Sequence, residues 1–101
     1  MARMNPKERT TELLAVATRV ALRDGFASMR RDAIAAEAGV TGALVTCRLG
    51  TMPELRRAVM RHAIKNRILG VVAQGLALGD KHALKAPEDV RREAAAWLGR
   101  V

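Results

Sequence analysis

Apolar residues recur along the start of the chain at helical spacing. Leu13, Leu14, Val16, Ala17, Val20, Ala21 and Leu22 form one stripe. Ahead of it, Asn5 is a good N-cap, Pro6 fills the first helical position, and Glu8 stands three residues past the cap. Gly25 ends this helix and Phe26 folds back as an apolar anchor. A second, short helix is expected from Ser28 as cap to Ala38, with Met29, Ala33 and Ile34 turned inward. Gly39 and Val40 separate it from a third helix, capped by Thr41 and running to about Leu49 before Gly50.

Thr51 and Glu54 have the spacing of a capping box for a fourth helix, with Pro53 in its first turn. That helix is expected to run from Met52 toward Gly79, weakened in its second half by Gly70 and Gly75. Gly79-Asp80 is a stop signal and residues 80–86 read as a loop. A last helix runs from Pro87 to Leu98 before Gly99. The pattern predicts an all-α chain of five helices, without internal repeats.

Composition agrees with that pattern. At 101 residues the chain holds one domain, or one domain with a helical extension. Half the residues are apolar, enough for a core, while Phe26 and Trp97 are the whole aromatic supply. Few β-branched and aromatic residues favour helices over strands. No apolar run reaches the ~18 residues of a membrane span and no signal-peptide pattern opens the sequence. The single cysteine, Cys47, cannot staple one chain, so a reducing cytoplasm is the expected setting and disulfide or zinc scaffolds are excluded. No paired carboxylates, nucleophile triad or metal cluster is present, and His62 and His82 read as surface or packing residues. Neither an enzyme nor a cofactor is expected.

Charge sharpens the picture. The formal net charge is +8. Residues 1–50 carry +3, residues 51–85 carry +5 and residues 86–101 carry none. Such local excess suits a face that meets a polyanion, although solubility explains it equally well. Most of the cations are Arg, which forks onto phosphate oxygens.

The run from Ile34 to Val45 has the grammar of a helix-turn-helix. Two short crossing helices need a small residue at their closest approach, supplied by Ala35, and a sharp reversal, supplied by Gly39. A plain αα-corner satisfies the same pattern. Arg30 and Arg31 stand at the start of the second helix, where the macrodipole is already positive, and Asp32 offsets only part of that charge. An anion at this spot relieves the conflict. Arg57, Arg61 and Lys65 recur at i, i+4, i+8 on the fourth helix, with Arg56 beside them. They form either a solvated ridge or a contact for DNA backbone or an acidic partner.

From Leu13 to about residue 60 the chain resembles the N-terminal DNA-binding domain of tetracycline-repressor-type (TetR-like) transcriptional regulators. The matching residues are Leu13-Leu14, Ala17, Gly25-Phe26, Ile34-Ala35, Ala38-Gly39-Val40-Thr41, Leu49-Gly50-Thr51 and Glu54-Leu55. The resemblance implies a three-helix helix-turn-helix domain over residues 1–51, followed by one or two dimerisation helices in residues 52–101. It implies that Thr41 caps the recognition helix and reaches a phosphate. Gly42, Ala43, Thr46 and Cys47 then face the base edges, and Thr51 clamps the DNA backbone. The family usually has a Tyr and a His-Phe pair where this chain has Thr46, Arg48 and Leu49, and a Lys where it has Met52. Arg48 can replace the His as a phosphate ligand, and Arg56 or Arg57 the Lys. With little Asn, Gln or Arg on that helix, thymine-methyl contacts and DNA shape have to contribute to specificity. Arg3 and Lys7 form either a minor-groove arm or a frayed basic tip.

Residues Ile68 to Leu78 are apolar nearly all round, so burial against a second copy is expected. Ile68, Leu69, Val72, Leu76 and Trp97, with Leu98 and Val101, are the expected dimer seam. Two helices after the helix-turn-helix cannot enclose a typical ligand pocket, so no small-molecule effector is expected. The expected function is therefore a cytoplasmic homodimer on double-stranded DNA, repressing transcription at a palindromic operator. A low-specificity nucleoid-type DNA binder and a helical protein–protein adaptor or inhibitor are the alternatives.

Overall fold

The computed structural model describes residues 5–98, and among these the chain is all-helical, with seven helices and no strand. Arg3 of the expected arm, and Gly99 and Val101 at the other end, lie outside the described residues. The first helix, α1 (Pro6–Asp24), starts where its signals place it. Asn5 Oδ1 accepts the Glu8 N–H at 2.8 Å and Glu8 Oε2 accepts the Asn5 N–H at 3.4 Å.

The next two helices, α2 (Arg31–Ala38) and α3 (Gly42–Leu49), are joined by three residues. Gly39 takes the left-handed conformation at φ 70°, and Val40 N–H donates to Ala35 O at 3.0 Å. That pair of features closes α2 as a Schellman turn. The expected start of α2 at Ser28 is corrected to Arg31. Ser28 N–H folds back onto Gly25 O at 3.1 Å, Met29 is drawn into the core, and the extended Arg30 becomes the N-cap residue.

The expected single helix from Met52 toward Gly79 is two helices, α4 (Met52–Lys65) and α5 (Leu69–Leu78). Between them Arg67 adopts φ 53°, the one non-glycine positive φ among the described residues. Ile68 N–H donates to Ala63 O at 2.8 Å and Arg67 N–H to Ile64 O at 3.3 Å, again a Schellman pattern. Part of the expected loop at residues 80–86 is a short helix, α6 (Lys81–Leu84), because the Asp80 carboxylate accepts the His82 and Ala83 N–H groups at 3.0 and 2.9 Å. The last helix, α7 (Glu88–Leu98), follows its expected span.

The break at Arg67 folds α5 back into the chain's own interior, against α1, α4, α6 and α7. Gly70, Val71, Val72, Ala73 and Gly75 are buried there. This bears on the expected dimer seam. Val72 is fully enclosed within one chain and presents nothing to a partner, while Ile68, Leu69 and Leu76 are half-buried against the same core. Of the five, Trp97 alone is exposed. One hydrophobic cluster runs from Leu13 to Ala94, so the halves divided at residue 51 share a core. Gln74, the polar residue of α5, clips them together. Its Oε1 accepts the Phe26 N–H and its Nε2 donates to Ala21 O at 3.4 Å, capping the end of α1.

Close approach at α5 depends on its glycines. A Cβ at Gly75 stands 2.9 Å from the Ala83 Cβ and meets the Met60 side chain. Gly75→Ala is expected to lose roughly 1–2 kcal/mol in urea denaturation, overpacking outweighing a helix-propensity gain of about 1 kcal/mol. At Gly70 the nearest obstacle is the half-exposed Leu22 side chain, which can swing aside. Gly70→Ala is expected to be neutral or slightly stabilising in the same assay.

Candidate nucleic-acid interface

The first amides of any helix lack intrahelical acceptors, and each helix here meets that need differently. At α3, Thr41 Oγ1 accepts the Leu44 N–H at 3.1 Å. At α4 the Thr51–Glu54 capping box is complete. Thr51 donates from its amide at 3.1 Å and from its hydroxyl at 3.0 Å to Glu54 Oε1, and Glu54 N–H returns to Thr51 Oγ1 at 3.3 Å. At α2 the N-cap residue is Arg30, whose side chain accepts nothing. The start of α2 therefore keeps open amides beside two arginines, whereas α4 supplies its own anion.

Gly50 makes the α4 arrangement possible. Its φ of 81° belongs to the glycine region, and a Cβ there stands 2.8 Å from Glu54 Oε1. The Thr51 amide and hydroxyl, with Arg57 assisting, hold the Glu54 carboxyl below its ordinary 4.5. Thr51, expected to clamp a phosphate, thus has its amide and hydroxyl protons engaged by Glu54.

The expected recognition face lies on the surface. Ala43, Thr46 and Cys47 are exposed and Gly42 is half-buried, while Val45 and Leu49 on the opposite side of α3 enter the core. The Thr46 hydroxyl donates to Gly42 O at 3.2 Å, leaving its oxygen and methyl outward as the chemistry on offer. Arg31 lies across the start of α3, its Cδ 4.0 Å from where a Gly42 Cβ stands. Arg31 Nε and Arg48 Nε are both shielded from solvent without a hydrogen-bond partner. Arg30 is well exposed and only loosely paired with Asp32, at 3.7 Å. Arg56 lines a cleft with Glu54, Arg57, Asp80, Lys81 and His82, and is absent from the lining of the cleft at Cys47 and Arg48.

Charges are sorted across the molecule. Among the described residues every carboxylate except Glu12 is held by a helix cap or an arginine. Arg23 and Arg19 take Glu37, Arg67 takes Asp89 and Glu93, and Arg92 takes Glu88. No ion pair among these residues engages Arg31, Arg48, Arg56, Arg57, Arg61 or Lys65. Those six lie at the start of α2, the end of α3 and along α4, and Lys7, Arg9, Lys81, Lys85 and Arg91 elsewhere are likewise outside any ion pair among the described residues. Sequence reasoning found those six residues and the Thr51–Glu54 capping box, but not that the box engages the Thr51 protons expected to meet a phosphate. The Thr51–Glu54 spacing contained that signal.

Comparison with protein-family models, with curated proteins and with solved structures gives no match. Among the described residues no helix is long and apolar enough to cross a membrane, and no group of His, Cys, Asp and Glu could hold a metal ion.

A group whose folded pKa is depressed stabilises above its ordinary range and stops doing so as pH falls through the depressed value. The capping box therefore contributes at neutral pH and is lost in acid, below about 4.5. Glu54→Gln is expected to flatten the acid limb of stability against pH, read by urea denaturation across that range. An unchanged limb contradicts the assignment.

Proposed function

We propose that this chain is a sequence-specific DNA-binding transcriptional regulator, a homodimeric repressor that lays α3 in the major groove of each half of an inverted repeat. In this reading α2 and α3 are a helix-turn-helix of the tetracycline-repressor type. That resemblance rests on the residues quoted for it above. The observation that carries the reading is the clustering of unpaired or only loosely paired arginines around a solvent-exposed α3. Arg30 and Arg31, at the uncapped start of α2, and Arg48, at the end of α3, flank Ala43, Thr46 and Cys47. Arginines and open helix amides position phosphates, and the small face between them approaches base edges. Two such helices of a dimer stand about 34 Å apart on one side of the duplex.

The dimer contact in this reading moves to the surface that the single chain leaves apolar. Trp97 and Leu98 at the end of α7 and Leu22 of α1 are exposed, with the Trp97 ring packed over Gly70. A setting inside the cell follows from the role. A second reading, a low-specificity nucleoid-type binder, is favoured by one feature. The outer face of α3 offers little beyond methyls and one hydroxyl oxygen for reading bases.

Selection of bound sequences from random duplex DNA separates the two. An inverted repeat with half-sites about one helical turn apart is expected, and an unstructured bound pool favours the nucleoid reading. Arg31→Ala and Arg48→Ala are each expected to weaken binding to all sequences. Each also lowers the slope of log affinity against log salt by about 0.9. Absence of salt-dependent DNA affinity in the unsubstituted chain overturns both readings.

A further inference from the structure

Two surface clefts meet where α1 packs on α4. One, of about 380 Å³, reaches Cys47 and Arg48 at the end of α3 and is flanked by Arg57 and Thr10. The other, of about 570 Å³, extends along Thr11 to His62, Lys65 and Asn66. Leu14, Ala58 and Arg61 line both, so the two are one groove. Leu14 and Ala58, both half-buried, form its apolar floor, and Arg48, Arg57, Arg61 and Lys65 form a cationic rim. The single carboxylate on its lining, Glu54, is already bound to Thr51. From Arg57 to Lys65 the rim follows about 12 Å of helix.

We infer that this groove docks an acidic amphipathic helix of a protein partner. Its apolar side rests on Leu14 and Ala58, and carboxylates spaced one turn apart meet Arg57, Arg61 and Lys65. The match is of two kinds at once. A helix in a groove buries apolar anchors, and like charges at i, i+4, i+8 on α4 are relieved by a ladder of opposite sign. A phosphodiester backbone answers the cations alone and leaves Leu14 and Ala58 uncovered. The groove shares with α3 only its last three residues, Cys47, Arg48 and Leu49, and the contacts inferred here are on α1 and α4, so the inference stands independently of whether α3 reads DNA.

The test uses the full chain and fluorescence anisotropy of a labelled synthetic peptide. The peptide has about 18 residues, with Leu at helical i, i+3, i+4 spacing and Glu on the flanks. A peptide of the same composition in scrambled order, and a labelled duplex DNA, serve as comparisons. The amphipathic peptide is expected to bind at least about tenfold tighter than the scrambled one. The pair Arg57→Ser and Arg61→Ser is expected to weaken it by a similar factor, with rescue by Arg57→Lys and Arg61→Lys. Ala58→Gln, which keeps the charge but fills the floor, is expected to weaken the peptide and leave duplex binding unchanged. Methyl NMR shifts of Leu14 on titrating the unsubstituted chain locate the contact without any variant. Equal binding of both peptides, or an unmoved Leu14 methyl, overturns the inference. Loss of duplex binding on Ala58→Gln assigns the groove to nucleic acid instead and also overturns it.

Discussion

A single residue in an unfavourable backbone region sets the path of the second half of the chain. Arg67 turns the chain back at the end of α4, at φ 53°, so that α5 enters the interior instead of prolonging α4 into solvent. The left-handed region costs an ordinary side chain free energy, and the surroundings hold it there. Ile68 N–H closes the turn on Ala63 O at 2.8 Å, and the guanidinium reaches α7, donating to Glu93 at 2.9 Å and pairing with Asp89. The driving force is the burial of a helix apolar on nearly every side. Four helices of the same chain surround it, so Val71, Val72 and Ala73 are removed from water without a partner. Gly70 and Gly75 let its neighbours approach closely, and Gln74 fixes its register against α1.

That arrangement also decides where charge can go. Asp89 and Glu93 are drawn to Arg67, Glu37 to Arg23 and Arg19, and Asp80 to the start of α6. Acidic residues are thereby concentrated in structural contacts, and Arg31, Arg48, Arg56, Arg57, Arg61 and Lys65 are among the cations left without an ion pair. Exposed ion pairs contribute little stability one by one. Their larger consequence is that they leave the net positive charge on cations outside these pairs, and a field of that sign weakens as salt rises.

Local signals were legible where a residue type has one strong use. Asn5, Thr41 and the Thr51–Glu54 pair cap the helices their spacing implies, and Gly39 ends α2 in the conformation a glycine permits. All-helical architecture followed from periodicity. The break at Arg67 was not legible, because neither Gly nor Pro marks it and an arginine has no preference for positive φ. Missing it had a further effect: a helix continuing past Lys65 leaves the Ile68–Leu78 stretch uncovered, which calls for a second copy. Once the chain folds back, Val72 is inside and the large apolar residues exposed among those described are Leu22, Leu78, Leu84, Trp97 and Leu98. For the candidate site, the exposed positions of α3 could be read from its periodicity, but the cleft that Arg56 shares with Asp80 and Lys81 could not. That placement depends on α6, a helix of one turn made by an aspartate cap.

Among the helix starts of the candidate interface, one is left to find its anion elsewhere. At α3 the Thr41 hydroxyl accepts an amide, and at α4 Glu54 supplies a full carboxylate held by two hydrogen bonds from Thr51. At α2 an arginine stands at the cap position and a second begins the helix, with Asp32 only loosely engaged by Arg30. Positive charge at a helix N-terminus is unfavourable in the isolated chain and becomes favourable when a phosphate arrives. Arg31 reinforces the point, since its Nε is shielded yet unpartnered while its stem lies over Gly42 at the start of α3. A ligand that answers α2 is therefore brought within reach of α3. In the proposed reading, phosphates meet the arginines and base edges meet a small and nearly featureless α3, so affinity rests on backbone contacts and specificity on shape and methyl packing.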